Sequence, residues 1–295
     1  MSLIKNRNSF GSLILIAIFA ILLMSIVPVI IKWINVNPAT IGIVRLTIGA
    51  IGIGILALFS KCKLSMTKKE LIWLTLLGFI FALHWYLYFV SIKMANASLA
   101  AIGVATFGIH LLVLSSLFKL QKFKIIDILA IGLALIGIYL ASPSIDIDQS
   151  QLHGFLIAIV SGFLYACLPI INQRLKHIPT QTKALGQFSF ALLFFLFLLP
   201  QASFDFSTND WRGLLVLGVL CTLVAHTLWI KVTTELPNNL TAVIYYSYVP
   251  ISMLLSFFVL GESMSWQKIM GAVLIISANI LVVLAHKRNA TKTSE

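Results

Sequence analysis

Apolar residues fill the chain in stretches of about twenty, interrupted by short polar or charged segments. A helix rises 1.5 Å per residue, so such a stretch crosses roughly 30 Å of hydrocarbon. The pattern predicts an all-α integral membrane protein with ten transmembrane helices. They fall at 11–33, 38–60, 69–92, 96–118, 123–142, 152–172, 181–201, 210–233, 238–260 and 266–286. Clusters of Pro, Asn, Asp and Ser at 35–38, 142–150, 203–210 and 237–239 mark turns between them. The spans use nearly the whole chain and leave no room for a soluble domain.

Shifted by about 141 residues, the sequence lies over itself. Pro28 falls on Pro169, His84 on His226 (offset 142), Ala100 on Ala242 and Leu140 on Leu281. Each half, 11–142 and 152–286, holds five predicted spans, an odd number. The second half therefore enters the membrane with the opposite orientation, as an inverted repeat. Many secondary transporters are built this way, with the substrate site between the halves near the bilayer midplane.

Composition supports the membrane reading. Of 295 residues, 60% are hydrophobic and 10% charged, and the mean hydropathy is +1.02. A soluble domain carries about 25% charged residues. The net charge of +12 does not point to nucleic acid, because the basic residues cluster in short loops between spans. With the N-terminus inside, sixteen of the 21 fall on cytoplasmic segments, among them Lys5, Arg7, Lys61, Lys63, Lys119, Lys122, Lys124, Arg174 and Lys287. Lys32, Lys93, Arg212 and Lys268 fall outside, and Arg45 lies within a span. The positive-inside rule then places both termini in the cytoplasm. The run after Lys5 and Arg7 lacks a small-residue cleavage site and reads as a retained first span. Cys62, Cys167 and Cys221 show neither metal nor CxxC spacing. Trp33, Trp73, Trp211 and Trp266 sit near span ends, as an aromatic belt requires; Trp85 and Trp229 lie deeper.

The stretch from Leu240 to Leu284 contains Pro250, the Gly261-Glu262 pair, Trp266 and Gly271 before a closing apolar helix. Earlier come Pro38 followed by Arg45, and Ala97-Ser98 at the start of the fourth span. In this order the chain resembles an EamA-type transporter of the drug/metabolite transporter superfamily over essentially its whole length. The resemblance implies a ten-span fold and export of amino acids or other metabolites; some members of the superfamily import vitamins or nucleoside-like compounds. The chain departs from the family in its first span, where Ala20–Ile30 is almost wholly apolar instead of holding a Trp-Gly-Ser/Asn cluster. It also has Gly108 where the second half has Pro250, and Lys119-Leu120 where it has Gly261-Glu262.

His84 and His226 occupy equivalent places in spans three and eight, close to the midplane. Imidazole facing lipid is costly, so both are expected to face the bundle interior or a wet cavity. Tyr88 lies four residues from His84, and Trp229 three from His226, which puts each pair on one helix face. Trp85 adjoins His84, and His110 in span four aligns with Ser252 in span nine. Tyr245 and Tyr248 share a face of span nine shortly before Ser252. Together these residues outline a central substrate pocket; taken singly, each also fits an interhelical packing contact. Arg45 either reaches the outer headgroups or binds an anionic group such as a carboxylate, or closes an outer gate. Glu262 reads as structural.

No Asp or Glu falls in the middle third of any span, so neither a carboxylate proton relay nor a charged sodium site is supported. No nucleotide-binding motif, metal-ligand spacing or nucleophile constellation occurs, and no cofactor is expected. The leading expectation is a multi-pass transporter of the bacterial cytoplasmic membrane that moves a small organic metabolite by alternating access. The substrate would be an amino acid or an aromatic or heteroaromatic compound, with export favoured and import open. Two other classes stand beside it: a non-transporting membrane partner or sensor subunit, and a membrane enzyme using the three histidines as metal ligands. The bilayer and a small molecule are the expected partners, without nucleic acid, and both monomer and homodimer remain open.

Overall fold

The structure, a computed structural model, describes residues 7–60, 66–120, 124–141 and 148–292. Lys5, Lys61, Cys62, Lys63, Lys122 and most of the predicted connector after Ala141, including Asp146, lie outside the described residues. Among those described, the chain is helical apart from short connections, with no strand. The first half contains α1 (Arg7–Met24), α2 (Val27–Trp33), α3 (Pro38–Phe59), α4 (Lys68–Met94), α5 (Ala97–Ala105), α6 (Phe107–Leu117) and α7 (Ile125–Ala141). The second contains α8 (Gln149–Arg174), α9 (Thr180–Leu196), α10 (Thr208–Val216), a π-helical segment (Leu217–Val224), α11 (Ala225–Glu235), α12 (Asn238–Tyr245), α13 (Tyr248–Leu260) and α14 (Trp266–Lys292).

Polar caps start several helices, among them two in the turns expected at 35–38 and 203–210. Asn37 accepts from the Thr40 amide before Pro38, and Asn96 from Leu99. Thr67 with Glu70, and Ser207 with Asp210, form reciprocal capping boxes. Such caps stabilise a helix by about 1 kcal/mol each. Among the described residues, seven stretches are long and apolar enough to cross a membrane: Phe10–Trp33, Pro38–Phe59, Lys68–Met94, Ala97–Leu117, Gln149–Arg174, Thr208–Glu235 and Asn238–Leu260. Ile125–Leu140 and Trp266–Ala278 are apolar but shorter.

Three stretches expected as single helices are broken, and a fourth is wound differently. The chain turns at Ser25–Ile26 just before Pro28, and at Tyr246–Ser247 just before Pro250. Proline has no N–H and disfavours helical geometry in the residue before it, so a break at each place follows. At Thr106 no proline is present; its hydroxyl instead donates to the Gly103 carbonyl at 2.7 Å, competing with the backbone ladder. The fourth irregularity is the π segment. The stretch Thr208–Glu235 has 28 residues where its counterpart α4 has 27, and the π segment takes up the additional residue.

Helix packing is symmetric under exchange of the halves. α4 packs on α8, and their counterparts α11 and α1 pack on each other. α3 packs on α9, α7 on α14, α5 on α13 and α6 on α12. Small residues permit the close crossings. A Cβ added at Gly162 would lie 2.8 Å from Thr106 Oγ1 and 2.9 Å from the Val104 carbonyl oxygen. One added at Gly108 would lie 2.4 Å from Tyr246 Oη. The ring-rich core formed where α3, α4, α8, α11 and α13 converge carries the site.

Candidate functional site

Arg45 projects from α3 on a face that also carries Gly42 and Gly49, one turn to either side. A Cβ at Gly49 would be 2.9 Å from Thr222 Cγ2, so this glycine lets the π segment approach the arginine. The Thr222 hydroxyl donates to the Leu217 carbonyl five residues back at 2.7 Å and accepts from Arg45 Nε at 3.0 Å. The guanidinium carbon sits 3.9 Å above the Trp85 ring centroid and 5.2 Å from that of Phe89. A desolvated cation over an aromatic face gains about 2 kcal/mol. Arg45 is 0% exposed, so it does not reach headgroups. Its Nη1 and Nη2 have no hydrogen-bond partner.

His84 is held by α8. Its Nδ1 lies 3.0 Å from the Ser161 carbonyl oxygen and 2.7 Å from Ser161 Oγ, whose hydroxyl donates to the His84 carbonyl at 2.9 Å. A carbonyl only accepts, so Nδ1 carries the proton and Nε2 is left as an acceptor. The imidazole stacks on Tyr165, with centroids 4.4 Å apart and planes 10° apart. His226 meets Phe81 and Trp85 edge-on, each at 5.2 Å. Tyr88 and Tyr248 share a short hydrogen bond between their hydroxyls, joining the halves. Tyr245 stacks on Tyr248 at 5.3 Å and meets Tyr165 edge-on at 5.4 Å.

These side chains surround a cavity of about 20 Å³. That is room for about one water molecule. Seven of the ten residues singled out from sequence line it: Arg45, His84, Trp85, Tyr88, His226, Tyr245 and Tyr248. Three do not. Trp229 is one ring farther out, packed on Tyr245 at 5.7 Å with its Nε1 unpartnered. His110 lies beyond the Thr106 break, one turn past Phe107; Phe107 takes the place against Tyr165 and Tyr245, while His110 meets Phe163 edge-on at 5.6 Å. Ser252 donates to the Ser25 carbonyl at 3.1 Å, occupying an acceptor at the first-span break.

Met24, Val27, Phe89 and Tyr165 complete the lining. A sequence signal for two of them existed. The 141-residue shift lays Met24 on Tyr165, and Ser161 and Tyr165 are four apart on one face of α8. Thr222 had none, because its direction depends on the π segment.

The two ends of the bundle differ. At one, Lys32 Nζ donates to the carbonyls of Ala95 (2.6 Å) and Lys93 (3.3 Å), and Lys93 Nζ to that of Ile34 (2.6 Å). The Asn35 amide donates to Asp210 Oδ1 at 2.8 Å, and Glu262 accepts from the Ala97 amide at 3.1 Å and the Ser98 hydroxyl. A cavity of about 330 Å³ lies beside Asn35 and Lys93. At the other end the helices part around about 770 Å³, bordered by Trp73, Phe118, Arg174, Lys176 and Glu235. Arg174 lies 4.6 Å over the Trp73 ring, His177 Nε2 is 2.6 Å from Glu70 Oε1, and Gln173 Nε2 donates to Asn238 Oδ1 (2.6 Å) and the Leu236 carbonyl (3.3 Å). Neither end cavity shares a lining residue with the central one.

Two helical repeats exchanged by a quasi-two-fold, with a polar, aromatic centre, define a multi-pass membrane transporter architecture. The profile of the EamA-like transporter family matches residues 11–142 and 152–284, and the chain belongs to that family, within the drug/metabolite transporter superfamily. Among curated relatives, the uncharacterized transporter YxxF of Bacillus subtilis (strain 168) is 18% identical over 233 residues, 78% of this chain and 75% of its own. The uncharacterized transporter YdfC of the same organism is 22% identical over 245 residues, 81% and 80% of the two chains. One solved crystal structure matches 94% of this chain and 98% of its own with a TM-score of 0.78 at 17% identity, a likeness of fold.

Proposed function

We propose that the protein is a secondary transporter that exports a small organic metabolite across the bacterial cytoplasmic membrane by alternating access. The observation that carries the reading is the small central cavity between the halves, set apart from a larger cavity at one end and a smaller one at the other. Ten crossings, with both termini in the cytoplasm, put the 770 Å³ cavity on the cytoplasmic side and the Lys32–Lys93–Asp210 cluster outside. Rocking of one half against the other would part that cluster and close the cytoplasmic end. The large inner cavity favours loading from the cytoplasm. The match to a transporter family favours transport over catalysis.

The test is reconstitution. Proteoliposomes loaded with labelled metabolites from cells lacking the protein should release a defined subset of them, and empty liposomes should not. Retention of every compound, including those shown to bind the purified protein, would exclude the transport reading.

A further inference from the structure

We propose that the transported molecule is an organic carboxylate, and that its carboxylate docks on the terminal nitrogens of Arg45. This rests on the transporter reading and adds the substrate class. Arg45 is fully buried, yet only Nε is hydrogen-bonded, to Thr222. Nη1 and Nη2, the edge of the guanidinium that offers two parallel N–H groups, have no partner. Arginine is suited to bidentate recognition of a carboxylate through such an edge.

The surroundings supply no counter-charge. Every Asp and Glu among the described residues sits in a connection, at a helix end or within a first turn, and none lines the cavity. The groups facing Arg45 are the rings of Trp85 and Phe89, the Thr222 hydroxyl, the Cys221 thiol, His84, His226 and the cavity-lining tyrosines, with no carboxylate among them. A buried cation without an anion is costly in a low-dielectric interior. A substrate that brings the anion removes that cost on binding, so binding energy is concentrated on the charge.

The same inventory argues against a neighbouring ammonium group. No carboxylate is available to pair with it, and Arg45 would repel it. Acceptors for a neutral polar group do exist, in His84 Nε2, while Tyr165 Oη is a buried donor without a partner. The body of the molecule would lie among the Tyr88, Tyr245, Tyr248 and Phe89 rings. At about 20 Å³ the present cavity has room for about one water molecule, less than a carboxylate, so the rings must separate to admit the substrate.

The experiment uses the full-length protein in nanodiscs, with tryptophan fluorescence and thermal unfolding as readouts of binding. The probes are acetate, phenylacetate and 2-oxo acids of increasing size, each matched by its uncharged amide and, where one exists, its α-amino analogue. Carboxylates should bind in preference to both analogues, and Arg45→Gln should weaken binding by about tenfold or more. Arg45→Lys should retain part of it. Binding of amides as well as acids, binding unchanged by Arg45→Gln, binding of chloride alone, or no binding by any acid would each overturn the proposal. Should both variants fail to fold, the wild-type comparison of acid with amide still decides. In proteoliposomes the two readings separate. A bound acid that is not moved defeats transport and spares the anion site, whereas movement of amides but not acids does the reverse.

Discussion

Lys32 and Gln173, 141 residues apart, make the same hydrogen bond in the two halves. Lys32 Nζ donates to the Ala95 carbonyl and Gln173 Nε2 to the Leu236 carbonyl, and each bond spans 63 residues of chain. One bond is charge-assisted and 2.6 Å long; the other is neutral and 3.3 Å long. Charge-assisted bonds are the stronger kind. The two ends of a duplicated bundle are thereby made unequal, and the lysine end is held more firmly.

Lys32→Gln should make the ends more alike. The loss of about 1 kcal/mol at the lysine end raises the outward-open population severalfold. In a background without native cysteines, a Val27→Cys reporter in the cavity lining should react severalfold faster with a membrane-impermeant thiol reagent added outside. An unchanged rate would mean that Lys32 does not hold this end closed.

The Asn35 amide and the Asp210 carboxylate tie the first and eighth stretches at 2.8 Å. Asn35→Cys combined with Asp210→Cys should oxidise to a disulfide that stops transport, with activity returning on reduction. Transport that continues through the crosslinked form would show that these ends need not part.

Ser161 holds the His84 tautomer from α8. Ser161→Ala removes the hydroxyl but leaves the Ser161 carbonyl to hold Nδ1, and should cost about 1 kcal/mol of stability. His84→Ala and His226→Ala should abolish transport at near-normal expression. Measurement of folded yield beside transport tells the cases apart: a matching loss of both would make the histidines packing residues.

Gly162→Ala places a Cβ against the Val104 carbonyl and Thr106 Oγ1, where α8 crosses the α5–α6 break. Overpacking of this kind costs about 1–3 kcal/mol. Thermal unfolding should show the loss, and a variant as stable as the parent would mean that the crossing yields easily.

Much of this architecture is legible in the sequence, because lipid forces apolar length and loop polarity onto the chain. Arg45, His84, Trp85, Tyr88, His226, Tyr245 and Tyr248 are polar or aromatic groups that lie too deep in their spans to face lipid, and they line one cavity. Helical spacing ceases to predict direction where helices stop being regular. His110 lies past the Thr106 break and Ser252 past the Tyr246–Ser247 break, and these turn the two side chains toward Phe163 and the Ser25 carbonyl. Trp229 sits on the right face but one ring too far out. Tyr165 aligns with the apolar Met24, so the repeat marks its position but not its chemistry.

The additional residue absorbed by Leu217–Val224 has a directional consequence. A residue added to a helix turns the flanking side chains by about 100° relative to one another. Thr222 meets Arg45 from that segment, whereas Gly186, the place corresponding to Arg45 in the second repeat, bears no charge. A two-fold scaffold would accept a guest either way round, but a grip built in one half gives the guest a head and a tail. With a guest docked on Arg45 as proposed, passage would be polarised: the charged end of the cargo would stay with the first half.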